Sequence, residues 1–116
     1  MKRTLYIYRY TTDPVVIKQF GSNFFVFKDK ILDEDESEYI LQNYDYLRKG
    51  MVDDPFYIMN ESTNEHIHYT WFSLNNNKDR MNKFKRLVKG KLTQYENKLS
   101  EEVNCVRNLI NDIKED

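Results

Sequence analysis

Two histidines, His66 and His68, are the residues in this sequence best suited to chemistry, because imidazole binds metals and transfers protons near neutral pH. They stand at positions i and i+2, so on a β-strand they would share one face, as two metal ligands can. A third ligand would have to be an acid such as Glu61 or Glu65, but no spacing requires either one. We therefore expect a solvent-facing pair and no bound metal, and an enzymatic site built from His66, His68 and Glu65 ranks last.

Other familiar catalytic arrangements lack members. With only two histidines in 116 residues, neither a Ser–His–Asp nor a Cys–His arrangement is convincing. The single cysteine, Cys105, lies close to the apolar stripe of a helix, where a small packing residue is the simpler interpretation. Three scattered glycines cannot form a phosphate-binding loop. The sequence therefore predicts a protein that is not an enzyme and needs no cofactor.

Strand patterns dominate the front half of the chain. Residues 3–10 alternate side chains between two faces, and the apolar runs 15–20 and 24–27 follow after short turns. Short connections of this kind predict a three-strand antiparallel meander. Residues 56–59 and 66–72 are predicted to form a later hairpin. The sequence thus predicts a single α+β domain over residues 1–116, with an antiparallel sheet of about four to five strands.

Residues 34–49 are predicted to be a short helix. Asp33 or Asp35 would cap it, Glu36 would complete a capping box, and Gly50 would end it in the left-handed conformation. The acids in its first turn suit the helix dipole. Helical spacing relates four apolar residues, which are Ile40, Tyr44, Leu47 and Met51.

A long amphipathic helix is predicted over residues 77–114. Its apolar positions recur at intervals of three and four residues, at Met81, Phe84, Val88, Leu92, Tyr95, Leu99, Val103, Val106, Ile110 and Ile113. Unbroken, it would be about 55 Å long, whereas a domain of this size is only about 28–30 Å across. Either the helix breaks near Gly90, or residues 92–114 project and bind a second copy or another partner. The residues for that association are Leu92, Tyr95, Leu99, Val103, Val106, Ile110 and Ile113.

Charge is segregated along the chain although the net charge is only −1. Acids predominate between residues 33 and 54, and bases predominate between residues 78 and 91. Tyr6, Tyr8 and Tyr10 share one face of the first strand. Such a face can lie buried under helices, bind a protein, or stack single-stranded bases, and all three remain open.

These features favour a non-enzymatic protein that binds another macromolecule. Small size, segregated charge and a composition typical of AT-rich coding sequences suggest a phage or mobile-element accessory protein that inhibits a host protein, of the anti-restriction, anti-CRISPR or immunity kind. Its predicted protein-binding residues are Tyr6, Tyr8, Tyr10, Asp33, Glu34, Asp35, Glu36 and Glu38. The alternative is a module for single-stranded nucleic acid that uses Arg9, Lys78, Arg80, Lys83, Lys85, Arg86 and Lys89 together with the tyrosine face.

A cytoplasmic location is the simplest expectation. One cysteine allows no internal disulfide, and a reducing compartment suits a free thiol. No apolar run approaches the roughly 18–20 residues of a membrane span. The N-terminus begins with basic residues and then alternates polar and apolar types, unlike a signal peptide.

Overall fold

The fold is α+β, as the sequence predicts, and a computed structural model describes residues 3–113. Its elements in chain order are β1 (Arg3–Thr11), α1 (Pro14–Phe20), β2 (Phe24–Glu34), β3 (Glu38–Leu41), β4 (Tyr46–Arg48), a 3-10 turn (Lys49–Met51), β5 (Met59–Asn60), β6 (His68–Ser73) and α2 (Lys78–Asp112). The six strands form one antiparallel sheet in the order β4-β3-β2-β1-β6-β5, so the strand count slightly exceeds the expected four to five. The basic start of the N-terminus, Met1–Lys2, and the last residue of the predicted helix, Lys114, lie outside the described residues.

The predicted second strand, 15–20, is wrong, because these residues form helix α1. The Asp13 side chain accepts a hydrogen bond from the Val15 amide at 3.0 Å and so caps the helix, and Pro14 occupies its first turn. Gly21 ends α1 with φ of 74°, and its amide donates to the Ile17 carbonyl at 2.7 Å. Because α1 replaces a strand, β1 pairs directly with β2, and the predicted meander is wrong in this part.

The predicted helix over 34–49 is also wrong. Residues 34–49 instead contain the end of β2 and the strands β3 and β4, which pair antiparallel with one another. The Asp35 carboxylate accepts from the Ser37 and Glu38 amides, both at 2.8 Å, and so closes a tight turn between β2 and β3. Gly50, expected to end the helix, lies instead in the 3-10 turn after β4.

The later hairpin and the long helix agree with the sequence analysis. Strands β5 and β6 pair antiparallel through Met59↔Thr70 and Asn60↔Tyr69, although β5 is shorter than expected and shares only Met59 with the predicted strand 56–59. Helix α2 runs unbroken for 35 residues and passes through Gly90 without interruption. Neither helix among residues 3–113 combines the length and the apolar content that crossing a bilayer requires.

The two faces of the sheet carry two separate cores. One face is covered by the segment between β4 and β5. This segment runs from β4 at one edge of the sheet towards the opposite edge, where Val52 forms a β-bridge with Phe72 of β6. The buried residues on this face of the sheet are Leu5, Ile7, Ile31, Tyr39, Leu41, Leu47 and Phe72. The other face is covered by the first half of α2, and its buried residues are Tyr8, Tyr69, Trp71, Phe84 and Val88. Helix α2 is thus anchored on the sheet by its N-terminal half.

Candidate binding surfaces

The tyrosine face of β1 lies under α2. Tyr8 is fully buried, and its ring centroid is 5.5 Å from that of Trp71 and 5.9 Å from that of Phe84. Its hydroxyl donates to the Asn75 carbonyl at 2.7 Å, and burial raises the pKa of the Tyr8 phenol. Tyr6 and Tyr10 are half-buried against the same core. Tyr8 therefore offers no surface to a partner, and only the rims of this face reach solvent.

The acidic residues predicted to bind a protein lie together at the hairpin between β2 and β3. Asp33, Glu34, Asp35 and Glu36 are exposed, and Glu38 is half-buried. Several of them are engaged within the chain, since Glu34 contacts the Lys49 ammonium at 2.6 Å and the Arg3 guanidinium at 2.7 Å.

Two of these carboxyls are held in their charged forms. The hydrogen bond from Lys49 is the largest cause that lowers the pKa of Glu34, and the Arg3 guanidinium adds to it. The amides of Ser37 and Glu38 lower the pKa of Asp35. The hairpin therefore presents a negative surface of which part also holds the turn together.

The basic residues proposed for nucleic acid do not form one surface. Arg9 points to the side of the sheet opposite α2, where its guanidinium lies 5.1 Å from the Phe27 ring centroid and donates to the Tyr44 hydroxyl at 2.6 Å. On α2, Arg80 lies 3.5 Å from the Asp53 carboxylate, and Lys85 lies over the Phe24 ring at 5.5 Å. The remaining bases of this set follow the same helix, with Lys78, Arg86 and Lys89 exposed and Lys83 half-buried.

His68 lies at a shallow groove between α1 and β6, and His66 lies beside it. His68 Nδ1 is 2.9 Å from the Thr11 hydroxyl, and the two imidazole centroids are 6.2 Å apart. The groove also contains Glu61 and Arg9. Within residues 3–113 no group of three His, Cys, Asp or Glu side chains has the geometry to hold a metal ion.

The most exposed apolar surface follows the second half of α2. From Thr93 to Ile113 every residue is exposed, so this half of the helix extends beyond the sheet. The apolar residues on it are between 43% and 72% exposed, and they are Tyr95, Leu99, Val103, Val106, Leu109, Ile110 and Ile113. We call this surface, together with half-buried Leu92, the projecting stripe. All seven residues predicted for association lie on it.

Sequence reasoning overlooked the residues at the margins of the projecting stripe. Leu109, at the edge of the stripe, is 66% exposed. Glu96 and Arg107 lie along one flank and line a shallow groove with Leu99 and Val103. Plotting the helix at about 100° per residue would have identified them, because Glu96 and Arg107 then fall within about 20° of each other.

Comparison of the chain with protein-family models, with curated proteins and with solved structures finds no match.

Proposed function

We propose that this chain is a non-enzymatic binding protein whose principal binding element is the projecting stripe of α2. The observation that carries the proposal is the row of large apolar side chains, 43–72% exposed, on a helix that no described part of the chain covers. Continuous exposed apolar surface of this kind is typical of sites that bind another protein.

The energetics of the helix support this proposal. Most of the stability of a helix in a protein comes from tertiary packing of its apolar face, and Val and Ile lower the helix propensity of this segment. Residues 93–113 gain little packing from the sheet, since all of them are exposed. A partner that buries the stripe would supply the missing stabilisation, at about 25 cal/mol for each Å² of apolar surface that it covers.

The acidic hairpin supports a role for a second surface. Its exposed carboxylates suit a basic target, and they project from a different part of the molecule than the stripe. An accessory protein that occupies the nucleic-acid-binding surface of a host protein, of phage or mobile-element origin, is the class that this arrangement and the composition favour.

Binding of single-stranded nucleic acid is the second candidate function. The observation in its favour is the concentration of seven bases and one acid between Lys78 and Lys91. The burial of Tyr8 weighs against it, because the aromatic face that would stack bases is covered by α2. Fluorescence anisotropy with a labelled oligonucleotide, measured from low to high salt, distinguishes the two. Nucleic-acid binding should raise the anisotropy at low salt and weaken steeply as salt is added, whereas a protein that does not bind nucleic acid should leave the anisotropy unchanged.

A variant with the stripe disrupted tests the proposed function. Leu99→Asp with Val103→Asp places two carboxylates in the stripe. Asn97→Asp with Asn108→Asp adds the same charge on the opposite side of the helix, at about 160–180° from Met81, and is the matched control. Sedimentation velocity of the pure proteins, and pull-down from a lysate of the source cells, measure self-association and capture of another protein.

The proposal requires the wild type and the control to form a complex that the stripe variant does not form. Circular dichroism and urea unfolding check that all three proteins keep the sheet domain. A wild type that stays monomeric and captures no more protein than the stripe variant would contradict the proposal.

A further inference from the structure

The face of α2 that packs on the sheet continues without a change of direction into the projecting stripe. From Met81 to Val103 the apolar residues repeat with spacings of 3, 4, 4, 3, 4 and 4. An eleven-residue repeat has about 3.67 residues per turn, so the stripe drifts by only about 20° in each repeat. The projecting half therefore presents a nearly straight apolar row against which another long straight helix can lie.

The charge of α2 favours a second copy in antiparallel orientation. Residues 78–91 contain seven bases and one acid, whereas residues 92–113 contain two bases and four acids. Parallel pairing would place two strongly basic segments side by side. Antiparallel pairing separates them, and charges beside a helical seam select orientation in this way.

The flanking charges fix the register. Glu96 and Arg107 lie on the same flank of the stripe, and in an antiparallel pair the same flanks of the two helices face each other. Glu96 of each copy lies opposite Arg107 of the other when the two-fold axis passes between Glu101 and Glu102. That axis is within about one residue of the middle of the stripe, 92–113, so the ion pairs and the apolar overlap require the same register.

Neither flanking charge has an ion-pair partner among residues 3–113. Among residues 3–113 the ion pairs involve Arg3, Glu34, Lys49, Asp53, Glu65, His66 and Arg80, and none involves a residue beyond Arg80. On the second flank the same register sets the two Glu102 carboxylates near each other, so the attraction between the copies comes from the Glu96–Arg107 flank.

We infer that the partner of the projecting stripe is a second copy of this chain, paired antiparallel about an axis between Glu101 and Glu102, with two symmetric Glu96–Arg107 ion pairs. This inference rests on the proposed function, because it names the protein that the stripe binds. Each copy then holds its sheet domain at the opposite end of a shared helix pair, and both acidic hairpins stay free for other targets.

Charge exchange tests the register. Glu96→Arg or Arg107→Glu alone sets like charges opposite each other twice per dimer, so the dimer dissociation constant should rise at least about tenfold. The double exchange restores the opposite charges and should return the constant to within about threefold of the wild type. Glu101→Arg, which makes the same change on the outer side of the helix, is the matched control and should have little effect. Sedimentation equilibrium measures each constant.

Spin labels test the orientation independently. In a Cys105→Ser background, a label at Asn111→Cys is separated from its copy along the axis by about 29 Å in the antiparallel pair, and a label at Asn97→Cys by about 14 Å. Double electron–electron resonance should therefore give the longer distance for residue 111. Equal distances at the two positions mean a parallel pair and overturn the inference.

The remaining outcomes separate this inference from the proposed function. A wild type that stays monomeric up to about 100 µM overturns the self-pairing. The proposed function then survives only if the stripe variant loses a partner that the wild type captures. A dimer that the double charge exchange fails to rescue overturns the register. Rescue together with unequal label distances supports both register and orientation.

Discussion

The buried side chain of Asp29 in β2 fixes the turn between β3 and β4, which lies 14–15 residues further along the chain. It is 3% exposed, and its carboxylate accepts hydrogen bonds from the amides of Lys30, Asn43 and Tyr44 and from the Asn43 side chain, at 2.8–3.2 Å. These bonds hold the turn between β3 and β4 against β2. A polar group at this depth is tolerated because several donors satisfy its oxygens.

Asp29→Ala should therefore lower the free energy of unfolding by about 1–3 kcal/mol, because buried amides lose their acceptor. Urea unfolding followed by tryptophan fluorescence measures the change through Trp71. Asp33→Ala is the control, since Asp33 lies on the same strand but is exposed and accepts only from the amide of Glu34. Equal destabilisation by the two substitutions would show that the Asp29 hydrogen bonds do not stabilise the fold.

The carboxyls of the β2–β3 hairpin should make stability depend on acid pH. The pKa values of Glu34 and Asp35 are lowered in the folded chain, by Lys49 and by the amides of Ser37 and Glu38 respectively. Their stabilisation is present above the unfolded pKa values, about 4, and is lost as the pH falls through the lower folded values. Urea unfolding should show stability declining below about pH 4, and less steeply in Glu34→Gln with Asp35→Asn. An unchanged slope in that variant would contradict this assignment.

At the scale of elements, the glycines of the two helices predict opposite effects of substitution by alanine. Gly21 ends α1, whereas Gly90 lies inside α2. Gly21 has φ of 74°, so Gly21→Ala should destabilise the fold by about 1–2 kcal/mol. Gly90 lies inside a continuous helix with nothing within 4 Å of an added Cβ, so Gly90→Ala should stabilise it by about 1 kcal/mol. Urea unfolding and circular dichroism measure both changes. Loss of stability on Gly90→Ala would indicate that α2 breaks there.

The errors in predicting elements from sequence have physical causes. Val15–Phe20 consists of residue types that favour strands. The N-cap Asp13 with Pro14, and the C-cap Gly21, stabilise a helix instead, and these capping signals were present in the sequence. The predicted helix over 34–49 had helical spacing, yet Ile40 and Tyr44 are 43% and 40% exposed. The buried residues there alternate instead, and Asp29 holds their turn from 14 positions away, which a local pattern cannot reveal.

The candidate site was easier to predict than the sheet. Spacing alone identified every residue of the projecting stripe except Leu109, because α2 is one continuous element and its apolar period does not depend on distant contacts. Whether the tyrosine face is buried or exposed could not be predicted from spacing in the same way. Whether Tyr8 is buried depends on where α2 packs, and this is a property of the tertiary structure.

For the whole molecule, the inferred pairing implies a distinctive shape. A single chain extends 77 × 34 × 25 Å, and its long axis must follow α2, because no strand approaches that length. At about 1.5 Å per residue, Ile113 lies only about 17 Å past the proposed axis, so the far end of the sheet domain lies about 60 Å from it. The antiparallel dimer should therefore be about 120 Å long, whereas a monomer or a parallel dimer should remain near 80 Å.

Small-angle X-ray scattering measures this length directly. The wild type should give a maximum dimension near 120 Å at high concentration, and Glu96→Arg should shift it towards the monomer value as the dimer dissociates. The control Glu101→Arg should scatter like the wild type. A dimeric mass combined with a maximum dimension near 80 Å would exclude the antiparallel arrangement, because two sheet domains at opposite ends of a shared helix pair cannot be that short.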